Sequence, residues 1–294
     1  MMRRPPPQRR TWLFGAGADR AVHAAMTASG ADVLIQDLED FTPPARRIEA
    51  RSLAADLYAA WHAAGAEVVA RINSLDTEGL TDLDAVMPAK PDCIAYPKAA
   101  NAHEIRALHA EIGKREASCG YPPGSVEILP VCETATGVVN LREIAAASPR
   151  VRCALLGAED LAADLCAERG ADGVELDYAR RRFVLECRAA HIEPVDAPYT
   201  YADVEGAVRE ATFARRLGYR SKSLVRPDHA APLNAVYTPD LDECARALKL
   251  IAAFEAGRAR GEDRVLLEGQ WVEVPTYLNA QRMIERARAF GLIK

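Results

Sequence analysis

Residues 127–156 read EILPVCETATGVVNLREIAAASPRVRCALL. The stretch opens on an apolar run at 127–132, passes through the polar pair Glu133-Thr134, takes on helical spacing over 137–146 and returns to a short apolar run at 153–156. Two apolar strands separated by a helix are a βα unit of a parallel sheet, because parallel neighbours need a crossover of roughly a dozen residues or more. Working outward, the same alternation repeats along the chain. It predicts strands over 11–15, 33–37, 67–72, 93–97, 127–132, 153–156, 192–197 and 221–225. Helical patterns lie over 18–29, 45–63, 78–86, 102–115, 137–146, 178–190, 204–217 and 240–259. Eight strands, each followed by a helix, are the count of a closed (β/α)8 TIM-type barrel, which an open doubly wound sheet rarely reaches.

Length alone leaves a choice, since 294 residues suit two domains of about 150 or one barrel of roughly 250. The strand count decides for a single α/β barrel over 1–259, with 1–10 as a flexible tail. Residues 260–294 then form a C-terminal lid extension, with an amphipathic segment at 276–290 after Pro275 and too little chain to fold alone. A hydrophobic fraction of 49% and a charged fraction of 27% exclude disorder and collagen-like repeats. With 37 Lys+Arg against 42 Asp+Glu the net charge is -5, so no nucleic-acid partner is expected. No run approaches the ~18 apolar residues of a membrane span, and the basic, proline-rich start lacks the apolar core of a secretory signal. The seven cysteines are scattered without CxxC or CxxH pairs, which argues against zinc or disulfides and for reduced thiols in the cytoplasm.

Chemistry in such barrels gathers at the carboxyl ends of the strands. Here those exits are polar: Asp37, Glu39 and Asp40 after strand 2, Arg71 and Asn73 after strand 3, and Lys98 after strand 4. Glu133 and Thr134 follow strand 5, Glu159 and Asp160 strand 6, Asp196 strand 7 and Arg226 strand 8. Acids converging on one mouth repel one another unless a cation or basic groups neutralise them. Oxygen ligands alone point to Mg²⁺ or Mn²⁺ over zinc, and Mg²⁺ uses one or two carboxylates with waters and substrate oxygens. Glu133 and Asp160, from adjacent strands, are the pair best placed. The planar fork of Arg71 suits a substrate carboxylate. Each acid also has a bland reading as a helix cap, strongest for Asp37 and Asp40. Lys98 is as readily an ion-pair partner of a neighbouring acid as a substrate contact. No GxSxG elbow or Ser-His-Asp order supports a hydrolase, and Gly15-Ala16-Gly17 is too short for a dinucleotide fingerprint.

Over nearly its whole length the chain resembles the citrate lyase beta-subunit-like proteins of the HpcH/HpaI aldolase superfamily, which include malyl-CoA and citramalyl-CoA lyases. The resemblance is carried by Arg10-Thr11-Trp12-Leu13-Phe14, by Gln36-Asp37-Leu38-Glu39-Asp40 with Ala50-Arg51, and by Val69-Ala70-Arg71-Ile72-Asn73. It continues through Tyr96-Pro97-Lys98, Cys132-Glu133-Thr134-Ala135-Thr136-Gly137 and the run from Leu156 through Gly157, Ala158, Glu159 and Asp160 to Asp164. The resemblance implies a TIM-type lyase that breaks or forms a carbon–carbon bond between a 2-oxo acid and an acyl-CoA enolate, with Mg²⁺ bound. It implies that Glu133 and Asp160 hold the metal, that Arg71 grips the 2-oxo acid carboxylate and that Glu39 and Asp40 hold metal-bound waters. Backbone N–H groups around Gly157, Ala158 and Glu159 would orient the same carboxylate. It further implies a homotrimer or hexamer in which an acid of the C-terminal lid reaches a neighbouring subunit and carries the enolate proton.

The chain departs from the family pattern in three places. Glu273, in Gln270-Trp271-Val272-Glu273-Val274-Pro275, stands where the lid acid is usually Asp, one methylene longer. Val225-Arg226-Pro227 replaces the usual Ile-His-Pro, so that Arg226 offers a charge for a further carboxylate or phosphate. Gly15-Ala16-Gly17 replaces Val-Pro-Gly. Arg10 and Arg47 are candidate contacts for CoA phosphates. The leading expectation is a lyase of the malyl-CoA or citramalyl-CoA type with Glu273 as acid/base. The alternatives are a metal-dependent aldolase on free 2-oxo and hydroxy acids and a non-catalytic subunit of a lyase assembly.

Overall fold

The computed structural model describes residues 4–293. They form two compact units, the first running to Asn234 and the second starting at Ala235. The strands of the first are β1 (Thr11–Ala16), β2 (Val33–Asp37), β3 (Glu67–Arg71), β4 (Cys93–Tyr96), β5 (Glu127–Cys132), β6 (Cys153–Leu156), β7 (Glu193–Val195) and β8 (Lys222–Leu224). All pair in parallel in the order β7-β6-β5-β4-β3-β2-β1-β8. A bridge from Asp196 to Lys222, with Asp196 N–H on Ser221 O and Ser223 N–H on Asp196 O at 3.0 Å each, joins β7 to β8. The expected TIM-type barrel is therefore the fold. Between the strands run α1 (Arg20–Ala28), α2 (Arg47–Ala63), α3 (Gly79–Val86), α4 (Ala102–Cys119), α5 (Ala135–Val139), α6 (Leu141–Ala146), α7 (Glu159–Asp164), α8 (Asp177–Ala189) and α9 (Val204–Leu217). The short α10 (Ala230–Tyr237) follows β8.

Alternate strand residues build the interior. Trp12, Phe14, Val33, Ile35, Val69, Cys93, Ala95, Leu129, Val131, Cys153, Leu155 and Val195 pack as one buried cluster. The residues between them, such as Leu13, Leu34 and Val68, are also buried, as parallel strands covered by helices require.

The amino-terminal end of the barrel is closed by charge. Arg9 is 2% exposed and donates Nη1 and Nη2 to Glu127 at 2.6 and 3.1 Å, with Glu67 at 3.9 Å and the Trp12 ring 5.9 Å away. Arg4 and Arg10 both bond Asp32. Residues 4–10, expected as part of a flexible tail, are thus anchored, because their arginines find acids at the starts of strands that lie far away in sequence. Residues 1–3 fall outside the described chain. A second buried network ties β7 and β8 to their helices: Arg180 and Lys222 Nζ converge on Asp196 at 2.7 Å each, and both also reach Glu210. Asp196, read as an exit residue of strand 7, is a structural anchor.

Two helical readings change. The expected helix over 137–146 is two helices broken at Asn140, whose Nδ2 donates to Ala100 O at 2.9 Å. The expected eighth barrel helix, α11 (Leu241–Ala259), belongs to the second unit, where Cys244 and Ala247 pack against Ala280, Ile284 and Ala287 of α12 (Val274–Ala289). An unforeseen hairpin, β9 (Val265–Leu267) and β10 (Gln270–Val272), turns through Glu268 and Gly269, both at positive φ, as a two-residue hairpin turn demands. Val265 and Val272 pack with Phe254, on which Tyr277 stacks at 4.8 Å. The second unit is therefore larger than the expected extension. No described helix is long and apolar enough to cross a membrane.

Removing one partner of a buried ion pair leaves an uncompensated charge, at a cost of about 3–5 kcal/mol. Arg9→Ala is expected to lower the unfolding free energy by that amount in urea titration; a loss below about 1 kcal/mol would show that the amino-terminal plug is dispensable.

Candidate active site

The alternation that fills the barrel also aims the site. Two residues beyond Ile35, Val69 and Val131 stand Asp37, Arg71 and Glu133, on the same inward face at the carboxyl end. Arg71 is 5% exposed and forms an ion pair with the fully buried Asp37. Its Nη1 lies 3.1 Å from Glu39 Oε2 and 4.0 Å from Glu133 Oε2, while its buried Nε has no hydrogen-bond partner among the described residues. The guanidinium carbon sits 5.2 Å from the Phe14 ring centroid and 5.5 Å from that of Phe41, and the two rings meet edge to face.

The Gln36-to-Asp40 segment is shaped by its own side chains. Gln36 ties the β1–α1 loop to α2 by donating to Gly17 O and Ala50 O, and accepts from Tyr58. Asp37 Oδ1 accepts the Glu39 N–H at 2.8 Å, which turns Glu39 toward Arg71. Gly17 passes so close to Asp37 that a Cβ there would stand 2.6 Å from its carbonyl oxygen.

Lys98 answers Glu39 from the other side, with Nζ 2.6 Å from Glu39 Oε1 and 3.1 Å from Asp40 Oδ2. Burial works against its charge, but the hydrogen bond and charge of Glu39, with that of Glu133, hold the ammonium above the usual lysine range. The residue turns at φ 48°, which lets its backbone N–H reach Glu133 Oε1 at 2.9 Å. Side chain and backbone of Lys98 thus serve different acids.

Glu133 is 3% exposed. Burial pushes its carboxyl up to about 7 against the pull of Arg71, and the charge of Asp160 adds to the rise. Asp160, half-buried in the first turn of α7, has no hydrogen bond or ion pair among the described residues. A Cβ on Gly157 would lie 2.4 Å from Glu133 Cβ and 2.9 Å from its Oε2, so only glycine leaves this carboxylate its place. Two neighbouring carboxylates, one raised by burial and by the other, form a donor set that fits a hard divalent cation with waters completing its shell.

The rest of the 132–137 motif is scaffolding. Thr134 caps α5 by accepting from Gly137 N–H, and a Cβ on Gly137 would strike Ala99 O at 2.4 Å. Asp164, the last acid of the strand-6 motif, accepts from Ala135 N–H at 2.7 Å and so joins the exits of β5 and β6.

Other expected residues lie elsewhere. The Gly157 N–H is spent on Cys132 O at 3.1 Å, so it does not orient a substrate carboxylate. Ala158 is the N-cap and Glu159 the first residue of α7, so their backbone N–H groups stand beside Asp160, while the Glu159 side chain turns outward to Thr200 Oγ1 at 2.7 Å and Arg169 at 3.1 Å. Arg226 is held by Asp228, its neighbour two residues on, at 2.9 and 3.1 Å. Glu273 belongs to the second unit, precedes α12, is exposed and lies 3.7 Å from Arg264. Arg10 precedes β1 and is bound to Asp32 at the amino-terminal end, opposite the mouth, so its expected CoA contact is not supported. Arg47, at the start of α2, pairs with Glu78 at 2.6 Å. Phe41 was missed and carries no sequence signal for its place beside Arg71; Asp37, named among the strand-2 exits but read most readily as a cap, is turned inward by its register with Ile35 and pairs with Arg71.

The family profile of HpcH/HpaI aldolase/citrate lyase matches residues 10–227. The chain is 36% identical to a citrate lyase subunit beta of Leuconostoc mesenteroides subsp. cremoris, over 97% of this chain and 95% of that one. It is 32% identical to an L-malyl-CoA/beta-methylmalyl-CoA lyase of Cereibacter sphaeroides, over 96% of each. The crystal structure of the protein CitE from Mycobacterium tuberculosis, in complex with magnesium, acetoacetate and coenzyme A, superposes with a TM-score of 0.77 at 29% identity, covering 95% of this chain and 98% of that one. A family match spanning the whole barrel, over strand ends that bring Arg71, Glu133 and the 36–40 segment to one mouth, means that the chain belongs to the HpcH/HpaI aldolase/citrate lyase family.

Proposed function

We propose that the protein is a Mg²⁺-dependent carbon–carbon lyase acting on a 3-hydroxyacyl-CoA of the malyl-CoA or citramalyl-CoA type. It releases, or in reverse condenses, a 2-oxo acid (glyoxylate or pyruvate) and an acyl-CoA. The observation that carries the reading is the Glu133 and Asp160 pair beside a buried, aromatic-lined Arg71 at one barrel mouth. It is supported by relatives named as citrate lyase subunit beta and malyl-CoA lyase, and by the CitE complex with magnesium and coenzyme A.

In this reading Glu133 and Asp160 hold Mg²⁺, for which Mn²⁺ can substitute, and Glu39 and Asp40 hold its waters. When bound, the cation supplies polarisation of the 2-oxo acid carbonyl. Arg71 fixes the carboxylate of that acid with a guanidinium plane already set by Asp37 and the phenylalanines. Lys98 holds Glu39 and Asp40 in place and, through its backbone, one oxygen of Glu133. As the carbon–carbon bond breaks, its electron pair stays on the α-carbon of the thioester. The Glu273 carboxylate takes the proton that the hydroxyl gives up on becoming a carbonyl and passes it to that carbon, so the acid/base ends the step as it began. Glu273 delivers its proton from a C-terminal unit that reaches a neighbouring subunit in a trimer or hexamer. Arg47 is the remaining candidate for a CoA phosphate, Arg226 for a second anionic group, and a cytoplasmic setting fits the seven free thiols. A second reading, action as one subunit of a citrate-cleaving assembly, is favoured by the 36% identity to a citrate lyase subunit beta.

Incubation with malyl-CoA and citramalyl-CoA in MgCl2, with 2-oxo acid trapped as its phenylhydrazone, is expected to show turnover that EDTA stops and that Glu133→Ala lowers at least about a thousandfold. Undiminished activity in Glu133→Ala would remove the metal assignment. Cleavage of free hydroxy acids alone would favour an aldolase, and silence across both esters a non-catalytic subunit. Glu273→Gln is expected to lower kcat by about 10²–10⁴-fold while Mg²⁺ affinity, read by calorimetry, stays within about twofold; an unchanged kcat would take the proton-carrier role from Glu273.

A further inference from the structure

The Arg71 site carries a feature that gripping a carboxylate does not by itself require. Phe41, in the β2–α2 loop, is 42% exposed although its ring centroid lies 5.5 Å from the Arg71 guanidinium carbon and meets the Phe14 ring edge to face. Placed beside the guanidinium, the ring offers an apolar surface to whatever substituent a ligand held by Arg71 carries. The charges around it are unevenly matched. With the Mg²⁺ of the lyase reading on Glu133 and Asp160, the five carboxylates Asp37, Glu39, Asp40, Glu133 and Asp160 carry one charge more than Arg71, Lys98 and the cation together, and both side-chain cations are already paired. Arg226, the candidate for a further carboxylate, is held by Asp228. A ligand with one carboxylate for Arg71 would lay its other substituent near the two rings. A second carboxylate would meet the rings, with no unpaired cationic side chain among Arg71 and Lys98 to receive it.

We propose that Phe41 is a specificity-determining residue of the carboxylate site: with Phe14 it forms an apolar wall beside Arg71 that admits 2-oxo monocarboxylates with a hydrogen or short alkyl substituent and disfavours 2-oxo dicarboxylates. The inference rests on the lyase reading, because it takes Arg71 as the group that holds the 2-oxo acid. It deepens that reading by separating glyoxylate- and pyruvate-releasing chemistry from oxaloacetate-releasing chemistry. Discrimination here comes from the cost of desolvating a second carboxylate against an apolar wall.

The test compares 2-oxobutyrate with freshly dissolved oxaloacetate, in which a carboxylate replaces the terminal methyl group, using pyruvate as reference. Binding to the full chain in MgCl2 is measured by titration calorimetry. The wild type is expected to bind 2-oxobutyrate at least about tenfold more tightly than oxaloacetate. Phe41→Ala, which opens the wall to water, should bring the two within about threefold, while Phe41→Leu, which keeps an apolar side chain there, should preserve the preference. Equal affinities in the wild type, or a ratio that Phe41→Ala leaves unchanged, would overturn the proposal while leaving the lyase reading standing. Failure of all three acids to bind in Mg²⁺ would overturn the lyase reading and this inference with it. Circular dichroism of each variant confirms that a lost preference reflects the wall and not the fold.

Discussion

The mouth of this barrel depends on one constraint: more carboxylate is brought to Arg71 than its guanidinium and the Lys98 ammonium can neutralise. Asp37, Glu39 and Glu133 all approach Arg71, and Glu39 is shared with Lys98, which also holds Asp40. Burying such a cluster is unfavourable unless every charge is placed. Much of the local architecture does that placing. Gln36 and Gly17 fix the loop beneath Asp37, the left-handed turn at Lys98 aims a backbone N–H at Glu133, and Gly157 leaves room for the Glu133 side chain. What remains after these contacts is Glu133 with its carboxyl pushed up to about 7 and Asp160 without a hydrogen bond or ion pair among the described residues, the arrangement that a divalent cation would relieve.

The opposite end of the barrel solves the same problem differently. Glu67 and Glu127, at the entrances of β3 and β5, are met by Arg9 from the chain's own amino terminus, and Arg152 adds a second positive charge 3.3 Å from Glu127. The apolar layer of Trp12, Val69, Leu129 and their neighbours separates that closed plug from the open cluster above it. One end is neutralised by the protein and carries stability; the other is left short of positive charge and carries chemistry, the division of labour usual in this fold.

The fold was legible because eight apolar runs at regular spacing leave few architectures, and the acids and Arg71 were legible because strand ends are known in advance to be the mouth. What escaped was set by contacts distant in sequence. Arg4, Arg9 and Arg10 look like a loose basic tail until the acids at the strand entrances are in place beside them. Segment 240–259 has a helical pattern wherever it docks, and its pattern does not say that Ala280 and Ile284 are its partners. Asp37 and Phe41 show the same limit at the site. An acid two residues past a strand's last apolar position reads as a cap, and a loop phenylalanine reads as surface, until Arg71 is seen between them.

The central claim is that the Glu133 and Asp160 pair is a divalent-cation site, and titration calorimetry of Mg²⁺ into the full-length protein and into Asp160→Asn tests it without reference to any substrate. The account predicts one Mg²⁺ per chain in the wild type and an affinity at least about tenfold weaker in the variant, which keeps the shape of the side chain and loses its charge. Equal binding by both proteins, or none by either, would contradict it.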